Sequence, residues 1–115
     1  MLKITRHLLS DRQPGYSMGL YDTDIMPRTG KNHDIALLRT AFGRALVAMR
    51  ERRGMKQQEV ASLVGTTRSH LWRMEGGRGD PSLSMLYRLA RVLEVSPLEI
   101  MRETLKHFAE LQKEA

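Results

Sequence analysis

Apolar residues recur at steps of three and four along most of the chain, from about residue 34 towards its end. That spacing is typical of α-helices that bury one face. A first helix is predicted from about residue 34 to residue 53, with Asp34 as its N-cap and Gly54 as its stop. Its predicted inward face consists of Ile35, Leu38, Phe42, Leu46 and Met49.

Two shorter helices follow, joined by a tight turn. The first is predicted from about Gln57 to Val64, and Gly65 supplies the turn because glycine accepts a left-handed backbone at little cost. The second begins at Thr67, a favourable N-cap, and runs to about Glu75. The residues expected to be buried in these two helices are Val60, Ala61, Val64, Leu71 and Met74.

Two further helices complete the pattern. The fourth is predicted to begin after Ser82, and its predicted buried residues are Leu83, Leu86, Leu89, Ala90 and Leu93. The fifth has the clearest start signal in the chain, with Ser96 as N-cap, Pro97 in the first helical position and Glu99 completing a capping box. No stop signal follows, so this helix is expected to continue towards the end of the chain. Its apolar stripe consists of Leu98, Met101, Leu105 and Phe108.

The first 33 residues interrupt the helical pattern. Prolines and glycines at positions 14, 15, 19, 27 and 30 break any helix in this segment. Residues 1–33 are therefore predicted to form an irregular N-terminal arm with short extended segments. The expected fold is all-α, with a five-helix domain over residues 34–101 and a C-terminal helical extension over residues 102–115.

Composition narrows the class of protein. The chain has 115 residues, which is room for one domain, and a hydrophobic share of 41% is enough to form a core. It contains no cysteine, which excludes disulfides, thiolate metal sites and a cysteine nucleophile. The four histidines have no ligand spacing, so neither a metal nor a cofactor is predicted. No segment is apolar enough to span a membrane or to act as a secretory signal, and a cytoplasmic protein is expected.

Positive charge is concentrated in the helical region. The chain carries 19 Lys and Arg against 13 Asp and Glu, and residues 37–101 hold +5 of the net charge of +6. All but one of the cations in that region are Arg, whose guanidinium group suits bidentate contact with phosphate and guanine. Charge alone leaves two alternatives open: a domain that binds a polyanion, or a basic domain whose charges are only solvated.

The helices at residues 57–64 and 67–75 have the arrangement of a helix-turn-helix. In that motif the first helix packs behind the second, which protrudes far enough to enter the major groove of DNA. Its predicted exposed face consists of Arg68, Ser69, Trp72 and Arg73. Arg68, Ser69 and Arg73 are expected to read base edges, and the helix N-terminus offers N–H groups to phosphate. For Trp72 two alternatives stay open: contact with a thymine methyl group or sugar, or packing against the arm or a partner subunit.

Three short segments stand out around this motif: MKQQEVA at residues 55–61, GTTRS at residues 65–69 and PSL at residues 81–83. Together with Leu71, Arg73, Met74, Glu75 and Gly77, they resemble the lambda-repressor-like helix-turn-helix family, also called XRE-type regulators. The resemblance extends over about residues 38–101 and through five helices in order. One departure is Lys56, which stands where such proteins often carry a small N-cap residue and predicts a looser start of the second helix.

The resemblance implies roles for individual residues. Gln57 matches the glutamine that binds phosphate in this family, and Gly77 and Arg78 match a loop whose N–H groups and cations contact the DNA backbone. Arg50 and Glu75 match an ion pair that ties the first helix to the recognition helix, with direct contact between Arg50 and DNA as the alternative. The matching positions of the recognition helix are Thr67, Arg68, Ser69 and Arg73.

The stripe of the fifth helix continues beyond the domain. Met101, Leu105 and Phe108 need cover, since contiguous exposed apolar surface is unfavourable. We expect these residues to form a dimer contact, and the alternative is packing under the N-terminal arm. A homodimer suits the task, because a two-fold protein can read two half-sites of a palindrome.

The sequence therefore favours a DNA-binding transcriptional regulator, a repressor that binds a palindromic operator as a homodimer. Two other functions stay open. One is an antitoxin that uses the same DNA-binding module and holds a toxin with its extra segments. The other is a protein-interaction adaptor that no longer reads DNA. An enzyme is not supported, because no paired acid and base, phosphate loop or metal-ligand set is found.

Overall fold

The computed structural model describes residues 32–114 and forms five helices in that range. They are α1 (Asn32–Arg52), α2 (Gln57–Val64), α3 (Arg68–Glu75), α4 (Leu83–Leu93) and α5 (Pro97–Glu114). No strand occurs among these residues, and the predicted all-α, five-helix fold is confirmed. The arm predicted for residues 1–33 lies outside the described residues, except for its last two positions, which belong to α1. No helix of the described part is long and apolar enough to cross a bilayer.

One hydrophobic core receives side chains from all five helices. The five residues predicted to be buried in α2 and α3 are all at most 2% exposed, so those predictions are confirmed. Burying a side chain as large as leucine stabilises a protein by about 1.5–3 kcal/mol, which makes this core the main stabilising element of the domain. Its members are Phe42, Leu46, Met49, Val60, Ala61, Val64, Leu71, Met74, Met85, Leu89, Ala90, Leu93 and Ile100.

Two residues predicted for the core lie on the surface instead. Ile35 is 41% exposed and Leu83 is 83% exposed. Leu83 is the first residue of α4, and Met85 takes the inward position of that turn. The buried positions of α1 begin only at Ala41, so the turns around Ile35 extend beyond the core. Both residues lie in the first turns of their helices, where the apolar pattern continues but the side chain stays outside the core formed by the described residues, so both predictions were wrong.

Two glycines let α1 approach the C-terminal end of α3 very closely. A Cβ atom added at Gly43 would overlap the carbonyl oxygen of Glu75 and lie 2.8 Å from that of Met74. Gly77, directly after α3, has a φ of +78°, and a Cβ atom there would lie 3.0 Å from Cα of Thr40. Backbone therefore packs on backbone at this point, and α1 fixes where α3 ends. The sequence analysis did not identify Gly43.

The start of α2 is held by a side chain of its own first turn, and its end is held by a side chain of α4. Lys56 provides no side-chain cap, but its backbone N–H donates to Oε1 of Glu59 at 2.8 Å. At the other end Gly65 has a φ of +88°, which confirms the predicted left-handed turn. Arg88 of α4 donates from Nη1 to the carbonyl oxygen of Val64 at 3.0 Å. Glu59 thus compensates at the start of α2 for the side-chain N-cap that Lys56 does not supply. Arg88 satisfies the carbonyl group that is left without an intrahelical partner at the end of α2.

Serine hydroxyl groups start the two C-terminal helices at the predicted positions. The backbone N–H of Met85 donates to Oγ of Ser82 at 3.0 Å, and that of Glu99 donates to Oγ of Ser96 at 3.1 Å. Each bond satisfies one of the N–H groups that a helix leaves open in its first turn.

Beyond residue 101, α5 continues unbroken and packs back on α1. Phe108 is 4% exposed and forms a small cluster with Ala41 and Leu111, with Leu105 partly buried beside it. Phe108 is thus covered by its own chain, and its predicted role in a dimer contact is wrong. The helical period was read correctly, but it could not reveal that α1 lies against this face. Met101 remains 37% exposed.

Candidate nucleic-acid interface

The helix α3 has an apolar face towards the core and a polar face towards solvent. Leu71 and Met74 are at most 1% exposed, while the outer residues Arg68, Ser69, Trp72 and Arg73 are all exposed. Thr67 caps the helix, its Oγ1 accepting from the backbone N–H of His70 at 3.0 Å. No acidic residue stands in the first turn. The remaining N–H groups at this end therefore favour an anion such as a DNA phosphate.

Glu75, the last residue of α3, ties the recognition helix to α1 and α2. Arg50 donates from Nε to Oε2 of Glu75 at 2.6 Å and from Nη2 to Oε1 at 3.0 Å, and Gln57 donates from Nε2 to Oε1 at 2.8 Å. The third nitrogen of Arg50, Nη1, donates to the carbonyl oxygen of Met55 at 2.9 Å. The side chains of Arg50 and Glu75 are only 14% and 5% exposed, and the hydrogen bonds to Glu75 raise the pKa of Arg50 above its usual value.

We call the hydrogen-bonded cluster of Arg50, Gln57 and Glu75 the hub. Its internal bonds determine which side-chain groups remain free to contact DNA. All three guanidinium nitrogens of Arg50 bind within the chain, so Arg50 acts as a positioning residue in this geometry. Gln57 uses one amide hydrogen for Glu75, and a primary amide has a second hydrogen to donate. The hub thereby holds the Gln57 amide at the N-terminal end of α2, and its contact with phosphate stays a prediction.

The loop after α3 differs from what the resemblance implies. The backbone N–H of Gly77 donates to the carbonyl oxygen of Met74 at 3.1 Å, and that of Arg78 donates to the carbonyl oxygen of Arg73 at 2.8 Å. These two N–H groups are therefore already used within the chain, and a role for Gly77 as a phosphate donor is wrong. Gly77 instead allows the close approach of α1. The side chain of Arg78 is the part of this loop that can contact a phosphate.

Trp72 and Arg78 lie together on the surface beside α3. The guanidinium carbon of Arg78 is 5.6 Å from the centre of the Trp72 ring, which is a cation–π distance. Trp72 is 54% exposed, so its ring combines an apolar surface with a cation held over it. This pair suits contact with a sugar and its phosphate better than contact with a base edge.

A shallow polar groove lies between the N-terminal ends of α2 and α3. It consists of two depressions that share Gln58 and Arg68 in their lining, and Ser69 and Trp72 line the second of them. Gln58 also lines this groove, and the sequence analysis did not single it out as a site residue. Its Nε2 donates to Oγ of Ser62 at 3.1 Å. Its position next to Gln57 in the first turn of α2 could have identified it. The groove is lined by Arg50, Lys56, Gln57, Gln58, Arg68, Ser69 and Trp72.

A second ion pair, also missed, holds the loop that leads to α4. Arg39 of α1 donates from Nε and Nη2 to the two carboxylate oxygens of Asp80, both at 2.9 Å. This bidentate contact lowers the pKa of Asp80 and raises that of Arg39 from their usual values. The two residues are 41 positions apart, so no local spacing could have linked them.

The Asp80 pair predicts a specific pH dependence. Because its pKa is lower in the folded state, Asp80 stabilises the protein above its unfolded pKa of about 4, and this contribution disappears as the pH falls through the folded pKa. We expect the urea midpoint of Asp80→Asn to lie below that of the parent chain at neutral pH and to converge with it on acidification. The pair of Arg53 and Glu94, which has the same sign of dependence, is present in both proteins and cancels in this difference. A gap that stays constant down to about pH 3 would contradict the assignment.

The sequence has clear relatives among proteins that carry this motif. Residues 41–102 match the family described as helix-turn-helix domain. An uncharacterised HTH-type transcriptional regulator of Sinorhizobium fredii is 33% identical over 67 residues, which cover 58% of this chain and 87% of the relative. A prophage-derived, uncharacterised HTH-type transcriptional regulator of Bacillus subtilis, YonR, is also 33% identical over 67 residues, covering 58% of this chain and 62% of that protein.

Solved structures with the same arrangement of helices also exist. The clp gene regulator ClgR of Corynebacterium glutamicum aligns with a TM-score of 0.65 and 26% identity, over 67% of this chain and 82% of that one. The restriction-modification controller protein C.AhdI of Aeromonas hydrophila aligns with a TM-score of 0.53 and 32% identity, over 54% and 94% of the two chains. The chain therefore belongs to the helix-turn-helix domain family and is a lambda-repressor-like, DNA-binding transcriptional regulator, a class of proteins that are not enzymes.

Proposed function

We propose that this regulator is a repressor that binds a palindromic operator as a homodimer, with α3 of each copy in the major groove. The observation that carries the proposal is the outer face of α3. It is exposed, begins at a capped N-terminus without acidic residues, and presents Arg68 at the groove between α2 and α3. A repressor needs only to occupy its operator.

The proposed contacts divide into base readout and backbone positioning. Arg68 and Ser69 stand in the first turn of α3, the part of a recognition helix that contacts base edges, and Arg73 lies further along the same face. Arg68 can bind O6 and N7 of guanine with two nitrogens. The backbone contacts would come from Gln57, the N–H groups that follow Thr67, Trp72 and Arg78.

The small size of this interface supports the proposed homodimer. One eight-residue helix reads only a few base pairs, which is too little to select an operator. Two copies related by a two-fold axis double the site and place their recognition helices about 34–36 Å apart, one turn of DNA. The operator of such a dimer is a palindrome.

Replacement of Arg68 tests this function. We expect Arg68→Ala to weaken binding to the operator by about 1–3 kcal/mol and to relax the preference at the base pair it contacts. The measurement has two steps: selection of the operator from a random duplex pool with the parent protein, then titration of both proteins with that operator and with a scrambled duplex. Lys106→Ala is the control, because Lys106 is an exposed cation on α5, away from the groove.

The outcome separates sequence readout from general attraction between opposite charges. Lys106→Ala removes the same charge and should leave the ratio of operator to scrambled affinity unchanged. If Arg68→Ala lowers both affinities by the same factor, Arg68 binds phosphate and its assignment to a base is wrong. If the selection returns no palindrome, the proposed homodimeric readout is wrong.

A further inference from the structure

Arg44 is an exposed cation on α1, and no acid within residues 32–114 forms an ion pair with it. The other arginines of this helix, and the arginine directly after it, each lie 2.6–3.2 Å from a carboxylate oxygen. These pairs are Arg39 with Asp80, Arg50 with Glu75, Arg52 with Glu103 and Arg53 with Glu94. Arg44 can therefore bind an external anion without first breaking an ion pair of the described part of the chain.

The surface of α1 around Arg44 consists of short, uncharged side chains. The residues one turn before and after Arg44 on the helix are Thr40, Ala41, Val47 and Ala48. The nearest acid of the helix is Glu51, about two turns further on. A polyanion can therefore approach Arg44 without meeting a like charge or a bulky side chain of the neighbouring turns.

The close approach of α1 to the loop after α3 places Arg44 beside the proposed DNA interface. A Cβ atom added at Gly77 would lie 3.0 Å from Cα of Thr40, so the loop crosses α1 at that residue. Arg44 follows Thr40 by one helical turn and therefore lies on the same side of α1. The next residue of the loop is Arg78, whose guanidinium carbon is 5.6 Å from the centre of the exposed Trp72 ring. Arg44 thus continues the basic surface from α3 across the loop to α1.

We propose that Arg44 binds a phosphate of the DNA strand that passes the loop at residues 76–78, outside the base pairs that α3 reads. This inference rests on the proposed placement of α3 in the major groove, and it adds α1 to the interface. Each strand carries one phosphate for about every 3.4 Å of the duplex axis, and one turn of α1 rises about 5.4 Å. A strand held at Arg78 therefore presents further phosphates over the distance that separates Thr40 from Arg44. The planar donors of a guanidinium group match two phosphate oxygens.

Replacement of Arg44 by alanine tests the contact through its salt dependence. Each phosphate contact contributes about −0.9 to the slope of log affinity against log salt concentration on duplex DNA. A phosphate contact carries no sequence information, so we expect Arg44→Ala to weaken binding to the operator and to a scrambled duplex by the same factor. For each bound chain, that factor should shrink about 3.5-fold between about 50 and about 200 mM salt. Fluorescence anisotropy titrations of the full chain at stepped salt concentrations measure it.

Two further variants separate a phosphate contact from an effect of net charge or of folding. Lys106→Ala removes an exposed cation of α5 and should leave the salt slope unchanged. Arg44→Lys keeps the charge and should keep the slope of the parent, but with lower affinity, because an ammonium group lacks the planar set of donors. Arginine, lysine and alanine all favour helix, so the melting temperatures of the variants should stay close to that of the parent. If Arg44→Ala and Lys106→Ala lower the slope equally, net charge is the cause and the inference is wrong.

Duplexes that carry one uncharged methylphosphonate linkage locate the contact. An uncharged linkage at the phosphate that Arg44 binds should weaken binding by the parent. It should not weaken binding by Arg44→Ala further, because that variant has no cation to pair with this phosphate. Linkages at other positions should affect the two proteins equally. If every linkage that weakens the parent weakens the variant by the same factor, Arg44 binds no defined phosphate and the inference is wrong.

The results for this contact and for the proposed function are separable. A lower salt slope of Arg44→Ala on the scrambled duplex, together with a selection that returns no palindrome, supports the phosphate contact and refutes the palindromic repressor. An unchanged slope of Arg44→Ala, together with a relaxed base preference of Arg68→Ala, refutes the phosphate contact alone. A parent chain that binds no duplex overturns both.

Discussion

The Gly43→Ala protein is expected to be less stable than the parent by about 2 kcal/mol and to melt about 10 °C lower. A methyl group at this position overlaps the carbonyl oxygen of Glu75, so either α1 or the end of α3 must move. Forcing an extra methyl group into packed structure costs about 1–3 kcal/mol, and backbone atoms yield less easily than side chains, which favours the upper end. The better helix propensity of alanine offsets up to about 1 kcal/mol of that cost. Thermal and urea unfolding measure the net effect.

A second glycine supplies the control for this prediction. At Gly79 a Cβ atom would lie 3.9 Å from Cγ of Met74, an ordinary contact, so Gly79→Ala should change stability by less than about 0.5 kcal/mol. Because Gly43 positions α3, Gly43→Ala should also weaken operator binding at temperatures where the protein is still folded. If Gly43→Ala is as stable as Gly79→Ala, the close packing of α1 on α3 does not contribute to stability.

Local pattern was sufficient to predict where the helices lie. The buried set of α2 and α3, from Val60 to Met74, follows helical spacing, and the turn at Gly65 needs a left-handed residue. Thr67 then starts α3 so that its outer face carries Arg68 and the residues that follow it. Amphipathic period, caps and glycine turns act over a few residues, and they can therefore be read from a single sequence.

Contacts between distant parts of the chain could not be predicted in the same way. Gly43 stands inside a good helical pattern, and nothing in the pattern indicates that the end of α3 lies against it. Arg39 and Asp80 pair across 41 positions. Phe108 continues the stripe of α5, but whether its own chain or a second copy covers it depends on where α1 lies. Tertiary proximity decides each of these cases, and the sequence carries no local sign of it.

The candidate site shows the same difference between features that local pattern predicts and contacts that only the structure reveals. Exposure of the recognition face followed from the helical period, but the partners that orient it did not. The resemblance implied the pair of Arg50 and Glu75, while the bond from Gln57 to the same carboxylate and the use of the Gly77 N–H within the chain became visible only in three dimensions. The groove therefore depends on a hub that lies behind it.

Of the substitutions considered, removal of the Glu75 carboxylate at the centre of the hub is expected to have the largest effect on stability. Glu75→Ala should destabilise the protein by about 3 kcal/mol, because it leaves the Arg50 guanidinium, only 14% exposed, without its carboxylate and also releases the Gln57 amide. Breaking a buried pair costs about 3–5 kcal/mol, and the residual exposure of Arg50 favours the lower end. Urea unfolding of the full chain measures this difference.

A double-mutant cycle decides whether the loss comes from the pair. Arg50→Ala together with Glu75→Ala should cost at least about 1.5 kcal/mol less than the sum of the two single changes, because the double variant leaves no uncompensated charge. Arg102→Ala, which breaks the exposed pair with Glu99, is the comparison and should cost less than about 1 kcal/mol. A coupling energy below about 0.5 kcal/mol would assign the cost of Glu75→Ala to lost packing. A large coupling energy together with weaker operator binding by the double variant would identify the pair as the element that holds the recognition helix in its reading position.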